Sequence, residues 1–268
     1  MIFLSKLSGF DFKVDNLSHE LILGDNVKYD DVLEGTMDHV RKCLINRELD
    51  VPIHLYRVHQ NLHLEGDKIL SQDGDYQYDL LLMPPNVTGI EYVKTHGHRS
   101  PFVSDKQKLT FPTVIEILYG AATILLQRFS DDFDPVYGVG SEVEKVYMIK
   151  AQKGSKVIIP PNYYYTLINT RGTYLVTGRL RYRWDGKVDR EKVEAKHGFA
   201  YYIIRKNARQ EIVLNPHYKE VPRLEKIKSD DLTKMVSLRS QKPLIEILRK
   251  YPEKLEFLKK PQIVNWSL

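Results

Sequence analysis

The residues best equipped for chemistry cluster in one stretch, Glu91 to Pro101, reading EYVKTHGHRSP. Alternate residues of a strand face the same way, so His96, His98 and Ser100 share a face if this run is extended. Two imidazoles at that spacing can converge on one ion inside a barrel. Glu116 lies in a second stretch, Val114 to Gln127, VIEILYGAATILLQ, where a carboxylate among apolar residues needs a partner. An ion is one such partner; Lys94 or an arginine is another. The third stretch, Gly154 to Gly172, reads GSKVIIPPNYYYTLINTRG. Pro160-Pro161 sets a rigid turn before a strand, and Asn169 and Gly172 suit a tight turn after it.

The elements that must position these residues read as short strands. They are expected at Ile53–His59, Tyr78–Met83, Glu91–Thr95, Val114–Tyr119, Thr123–Arg128, Val146–Lys150, Lys156–Ile159, Tyr201–Lys206 and Glu211–Leu214. Gly, Pro, Asn or Asp separates most of them, which points to an antiparallel sandwich or barrel and not to βαβ units. Thr173 to Arg183, TYLVTGRLRYR, is a further strand by its period of two. Arg179, Arg181 and Arg183 share one face and are expected to be solvated. No glycine-rich phosphate loop follows a strand and opens a helix. Asp30 to Leu49 reads as a helix on Val32, Leu33, Val40, Leu44 and Ile45. Ser229-Asp230-Asp231 starts a second helical region, in which Leu244, Ile247, Leu248 and Tyr251 recur at helical spacing. The expected organisation is a β domain over residues 1–222 and a helical C-terminal extension over 223–268.

Composition narrows the class. The chain has 268 residues, 42% hydrophobic and 28% charged, as soluble globular proteins do. No apolar run nears the roughly 18 residues of a membrane span. Met1 to Phe12 contains Lys6 and Asp11 and no long apolar run, so a signal peptide is not expected. A single cysteine, Cys43, excludes an internal disulfide and a multi-thiolate metal site, and fits the reducing cytoplasm. The net charge of +5 suits small anions and is too mild to point to nucleic acid.

The order of these stretches resembles the two motifs of the cupins, specifically the cupin-type (archaeal-type) glucose-6-phosphate isomerases. The family's first motif, T-x-G-H-x-H followed by a glutamate, a small-residue turn and a strand ending L-L-Q, is matched by Thr95, Gly97, His98, Glu116, Gly120 and Leu125-Leu126-Gln127. Its second motif is matched by Pro160-Pro161 and Asn169. Gly198-Phe199 and Asn215-Pro216 add weaker matches. The resemblance spans roughly residues 10 to 220 and implies a mainly β fold: a double-stranded β-helix, or jelly-roll barrel, with helical N-terminal and C-terminal elaborations. Small cupins associate in pairs, so it also implies a homodimer. Two departures stand out, because the family's second and last metal-binding histidines fall on Ser100 and Tyr165. The tyrosine after the family's glutamate falls on Leu118, and Phe102 to Phe111 reads as an insertion.

What the resemblance implies for chemistry is an aldose–ketose isomerase acting on glucose 6-phosphate or a related sugar phosphate, in glycolysis or gluconeogenesis. Glu116 would be the catalytic carboxylate. His98 and Glu116, with His96 as a compensating third ligand, would hold one divalent ion of the Fe, Mn, Zn or Ni class. His96 as an ordinary hydrogen-bonded histidine is the alternative. Thr95 and Gly97 match positions lining the substrate phosphate site, and Tyr56, Tyr165 and Tyr182 are candidate substrate contacts. Because two ligand positions are substituted, any ion should be held weakly. The second hypothesis is a metal-poor, non-catalytic cupin that binds a sugar or sugar phosphate. Neither involves nucleic acid or membrane.

Overall fold

The computed structural model describes every residue except 16, 17, 19, 51, 53, 105, 131–141, 185 and 239. The strands that build the barrel are β1 (Asp31–Thr36), β2 (His54–Gln60), β3 (Tyr76–Met83), β4 (Thr113–Tyr119), β5 (Ala121–Phe129), β6 (Val143–Gln152), β7 (Lys156–Ile159), β8 (Tyr164–Ile168) and β9 (Leu175–Tyr182). One six-stranded antiparallel sheet runs in the order β7-β4-β9-β3-β2-β1. It faces a second sheet in the order β8-β5-β6-β12, with β12 at Glu225–Ile227, while β10 (Tyr201–Lys206) and β11 (Arg209–Leu214) form a separate sheet with the short strands Glu91–Tyr92 and Val87–Thr88. Among the described residues only the β6–β12 pairing is parallel. This is the mainly β, mostly antiparallel barrel that the short-strand pattern predicts, with helical elaborations. Ile53, expected to begin β2, lies outside the described residues.

Two expectations are overturned. Residues 30–49 do not form one helix. Asp31–Thr36 is a strand paired with β2, and only Met37–Val40 and a tight turn at Arg41–Cys43 are helical. Gly35 is the reason this stretch hugs the sheet: a Cβ there would fall 2.3 Å from the Tyr56 ring. The C-terminal extension does not begin as helix either, since β12 first adds a strand to the second sheet. Phe102 to Phe111 contains a small hairpin, Phe102–Ser104 with Gln107–Thr110, while Asp105 within it lies outside the described residues.

Behind β12 come α1 (Ser229–Met235) and α2 (Leu244–Lys250), then a tight helical run at Pro252–Leu258. Their buried residues Leu232, Leu244, Ile245, Ile247, Leu248, Leu255, Phe257 and Leu258 belong to the same hydrophobic core as Leu80, Val114, Ile124 and Val176 of the barrel. The apolar stripe of the extension therefore packs into the barrel's core, and the start of α2 lies over Glu116 of the six-stranded sheet. No helix among the described residues is long and apolar enough to cross a membrane.

The six-stranded sheet has two buried faces, and alternation sends neighbouring residues to opposite ones. Asp79 and Leu81 of β3, Ile115 of β4 and Thr177 and Arg179 of β9 line a cavity between the two sheets. Tyr78 and Glu116 point the other way, beneath α2. Gly178, paired with both Glu116 and Leu80, makes room on that outer side. A Cβ at Gly178 would lie 1.8 Å from the Tyr78 hydroxyl.

Candidate functional site

The cavity has a volume of about 120 Å³. Its most polar wall is the segment Thr95–His98, tied to β8 by backbone bonds. Thr95 N–H donates to the Leu167 carbonyl at 2.9 Å, and His98 and Tyr165 exchange bonds of 3.2 and 2.9 Å. His98 and Tyr165 thus sit opposite one another with ring centroids 4.7 Å apart. Gly97 between the two histidines has φ +87°, so the segment is not evenly extended. His96 and His98 both reach the cavity despite this, whereas Ser100 is buried elsewhere.

Arg179 occupies the middle of the polar cluster. Its Nη1 lies 3.4 Å from His98 Nε2 and donates to the Tyr165 hydroxyl at 3.2 Å. Its Nε and Nη2 donate to Asp79 Oδ2 at 3.1 and 2.5 Å. Asp79 is 1% exposed and stands directly across the β3–β9 ladder from Arg179. Burial alone would raise its pKa; Arg179 and Arg181 outweigh that and hold the carboxyl below its ordinary value. Arg181 also donates to Gln77 Oε1 at 2.6 Å and stacks on Trp184, 4.2 Å from the ring centroid.

Arg190 is different. It lines the cavity with its Nε buried and without a hydrogen-bond partner, and among the described residues no carboxylate pairs with its guanidinium. It sits just before a one-turn helix, Glu191–Ala195, that carries Glu194. His96 Nε2 lies 2.9 Å from Glu194 Oε1. Burial, reinforced by Arg190, takes the His96 pKa down to about 4 despite Glu194. Burial with Arg179 and Arg190 likewise holds His98 well below its ordinary value. Both imidazoles are therefore neutral near pH 7. The cavity wall carries two guanidiniums, Arg179 and Arg190, against the one carboxylate of Asp79.

The expected residues separate accordingly. Tyr56, Thr95, His96, His98 and Tyr165 do line the cavity. Glu116 does not, which corrects its placement beside His98. Its Oε1 accepts from the Tyr78 hydroxyl at 2.7 Å and its Oε2 from the Leu244 N–H at 3.1 Å, on the far side of the sheet. Ile115 faces the cavity in its stead, because a shift of one residue along a strand exchanges its faces. Gly97 is buried against Phe199, whose ring lies 2.5 Å from where a Cβ would be, so its backbone conformation and close packing account for glycine there. Tyr182 packs outside the cavity against Tyr76 and Phe111, at centroid distances of 6.2 and 5.4 Å. The arginine stripe of β9 is also corrected: Arg179 faces inward and Arg181 and Arg183 are partly buried with their own acceptors. Arg179's inward position was signalled by Asp79, a carboxylate in the apolar run YDLLLM. Arg190, in a connecting segment, carries no periodic signal.

These residues do not fit a divalent ion. Among the described residues no three His, Cys, Asp or Glu side chains come together in a way that could hold a metal. The donors that would be needed, His98 Nε2, the Tyr165 hydroxyl and Asp79 Oδ2, already converge on the Arg179 guanidinium. A doubly charged ion within about 4 Å of that fixed positive charge would be repelled by on the order of 8 kcal/mol at an effective dielectric of about 20.

The family described as "Glucose-6-phosphate isomerase (GPI)" matches residues 45–222. No curated protein matches the chain. Among solved structures, the Drosophila melanogaster CENP-C cupin domain is 12% identical, with a TM-score of 0.29, and the match covers 46% of this chain and 67% of that one. AerE from Microcystis aeruginosa is 11% identical, TM-score 0.29, over 51% of this chain and 45% of that one. A cupin 2 conserved barrel domain protein from Rhodopseudomonas palustris is 11% identical, TM-score 0.31, over 50% and 65%. With the family match spanning most of the barrel, the chain belongs to the glucose-6-phosphate isomerase family.

Proposed function

We propose that this chain is a binding member of its family, one that takes a small phosphorylated sugar into the barrel cavity without a bound metal ion. The observation that carries this reading is Arg190, a cavity-lining guanidinium with a buried, unpartnered Nε in the same cavity as the guanidinium of Arg179. A buried donor without an acceptor is costly, and an anionic ligand group supplies the acceptor. Arginine binds phosphate through charge-assisted bonds, each contributing about 1.5–3 kcal/mol. The neutral imidazoles and the hydroxyls of Tyr56 and Thr177 offer sugar hydroxyls their partners. At about 120 Å³ the cavity is compact, so the phosphate-bearing end is what it would enclose. Calorimetric titration tests this. Glucose 6-phosphate should bind, glucose should bind far less, and Arg190→Ala should weaken the phosphorylated ligand by roughly 10- to 100-fold. Equal binding of glucose, or an Arg190→Ala variant of unchanged affinity, would rule it out.

A second reading, turnover as an aldose–ketose isomerase, is favoured by the 2.9 Å contact between His96 and Glu194. The pair does not have hydrogen-bond geometry, but a neutral imidazole beside a carboxylate is a competent proton acceptor. Moving a proton between C1 and C2 of the sugar needs such a base, and Arg179 and Arg190 would stabilise the negative charge on the intervening enediolate oxygen. A coupled glucose 6-phosphate to fructose 6-phosphate assay in chelator separates the two readings. Turnover lost in His96→Ala supports the isomerase; binding without turnover supports the first reading.

A further inference from the structure

We infer that Arg179 is a built-in cation that does the work of a metal ion in this cavity, so that the positive charge among His98, Tyr165 and Asp79 is carried covalently. The guanidinium is held by three side chains from three segments. An imidazole nitrogen, His98 Nε2, lies 3.4 Å away; a phenol oxygen, that of Tyr165, 3.2 Å; and a carboxylate oxygen, Asp79 Oδ2, as close as 2.5 Å. One nitrogen and two oxygen atoms surround the one guanidinium, His98 Nε2 and the Tyr165 hydroxyl at Nη1 and Asp79 Oδ2 at Nε and Nη2, so the groups that a small cation would have to draw together are held apart by a planar one supplied from β9. Asp79 is buried and Arg179 is its direct cross-strand neighbour, so the pair is anchored in the sheet rather than in a loop.

The substitution changes what the cavity can do. A guanidinium cannot be stripped by a chelator or lost to a competing ion, and it stays protonated throughout the physiological range. It binds anions and carbonyl oxygens through N–H donors in a fixed plane. It cannot take up a water molecule and lower its pKa as a metal does. The cavity is thereby committed to metal-independent recognition, whatever the ligand. This inference does not rest on the sugar-phosphate reading: the donors and the guanidinium stand as they are for any anionic ligand.

Removing the guanidinium and restoring an imidazole should convert the site. The double variant Arg179→Ala, Tyr165→His presents His98, a histidine at 165 and Asp79 around an open position. Chelator-cleaned wild type and double variant are titrated with Zn²⁺ alone, following the His98 imidazole ¹⁵N resonance. The choice of resonance matters because the surface pair His197 and His217, with centroids 4.3 Å apart, can bind Zn²⁺ on its own. The wild-type His98 resonance should not move, and the variant should bind one ion at His98 at least about 100-fold more tightly. Saturable displacement of the wild-type His98 resonance by Zn²⁺ would overturn the inference, and this arm needs no variant to fold. A folded double variant, judged by its circular dichroism, that gains no Zn²⁺ at His98 would overturn it as well.

Discussion

Two buried carboxylates on the six-stranded sheet make an instructive pair. Asp79 faces the cavity and Glu116 faces the C-terminal extension; they are 1% and 3% exposed. Asp79 has Arg179 and Arg181 as neighbours and its pKa falls. Glu116 is pushed up to about 7 by burial, which Lys156, the Tyr78 hydroxyl and the Leu244 N–H only partly offset. Depth is nearly equal, so the partners decide the outcome. A carboxylate matched by guanidiniums stays charged and can organise a polar site. One matched by a phenol, an amide and a more distant ammonium sits at the edge of neutrality and serves as a fastening for a helix.

Breaking the first arrangement should have the largest effect. Asp79→Ala leaves the partly buried Arg179 and Arg181 without their shared acceptor, and the loss should approach the roughly 3–5 kcal/mol of removing one partner from a fully buried charged pair. Urea denaturation should show that loss; a change below about 1 kcal/mol would mean the pair is not buried as described.

The second arrangement predicts a dependence on pH of opposite sign to the usual carboxylate. The folded-state pKa of Glu116 lies above the ordinary value of 4.5, at about 7. Its contribution to stability is therefore fully present below pH 4.5 and is lost as pH rises through 7. The amount is on the order of 3 kcal/mol. Glu116→Gln can turn its amide oxygen to the Leu244 N–H and donate its NH2 to the Tyr78 hydroxyl oxygen, so the variant should show a flatter profile than the wild type over that window and equal or exceed its stability at pH 8. Parallel profiles for the two proteins would remove Glu116 from the account.

A smaller change sharpens the contrast. Gly178→Ala puts a methyl group into the Tyr78 hydroxyl, on the outer face alone. It should cost roughly 1–3 kcal/mol and leave ligand affinity in the cavity unaltered. Equal damage to both would show that the two faces are mechanically coupled.

Much of the barrel was legible in the residue order, because period-two patterning and turn residues act locally. Tyr76–Met83, Thr113–Tyr119 and Leu175–Tyr182 all fall where alternation places strands. His98 and Tyr165 were also legible, since their motifs fix them across one backbone bridge. Glu116 was not, because a motif match uncertain by one residue reverses the face of a strand. The β9 arginines misled for a related reason: a charged stripe looks solvated until the facing Asp79 is known. The strand at Asp31–Thr36 was masked by helix-spaced apolar residues, and its assignment depends on pairing with a segment 20 or so residues on, which local pattern does not report. Arg190 gains its meaning only from the fold that brings its loop over the cavity.

The central claim is that the cavity recognises an anion with arginines and needs no ion to do so. Calorimetric titration of glucose 6-phosphate into protein first treated with a strong chelator, repeated after adding back Zn²⁺, Mn²⁺ or Ni²⁺, tests it most directly. Binding should persist in the chelated protein, with an affinity that the added ions leave unchanged and that rising salt weakens. Binding that is absent after chelation and returns only with an ion would contradict it.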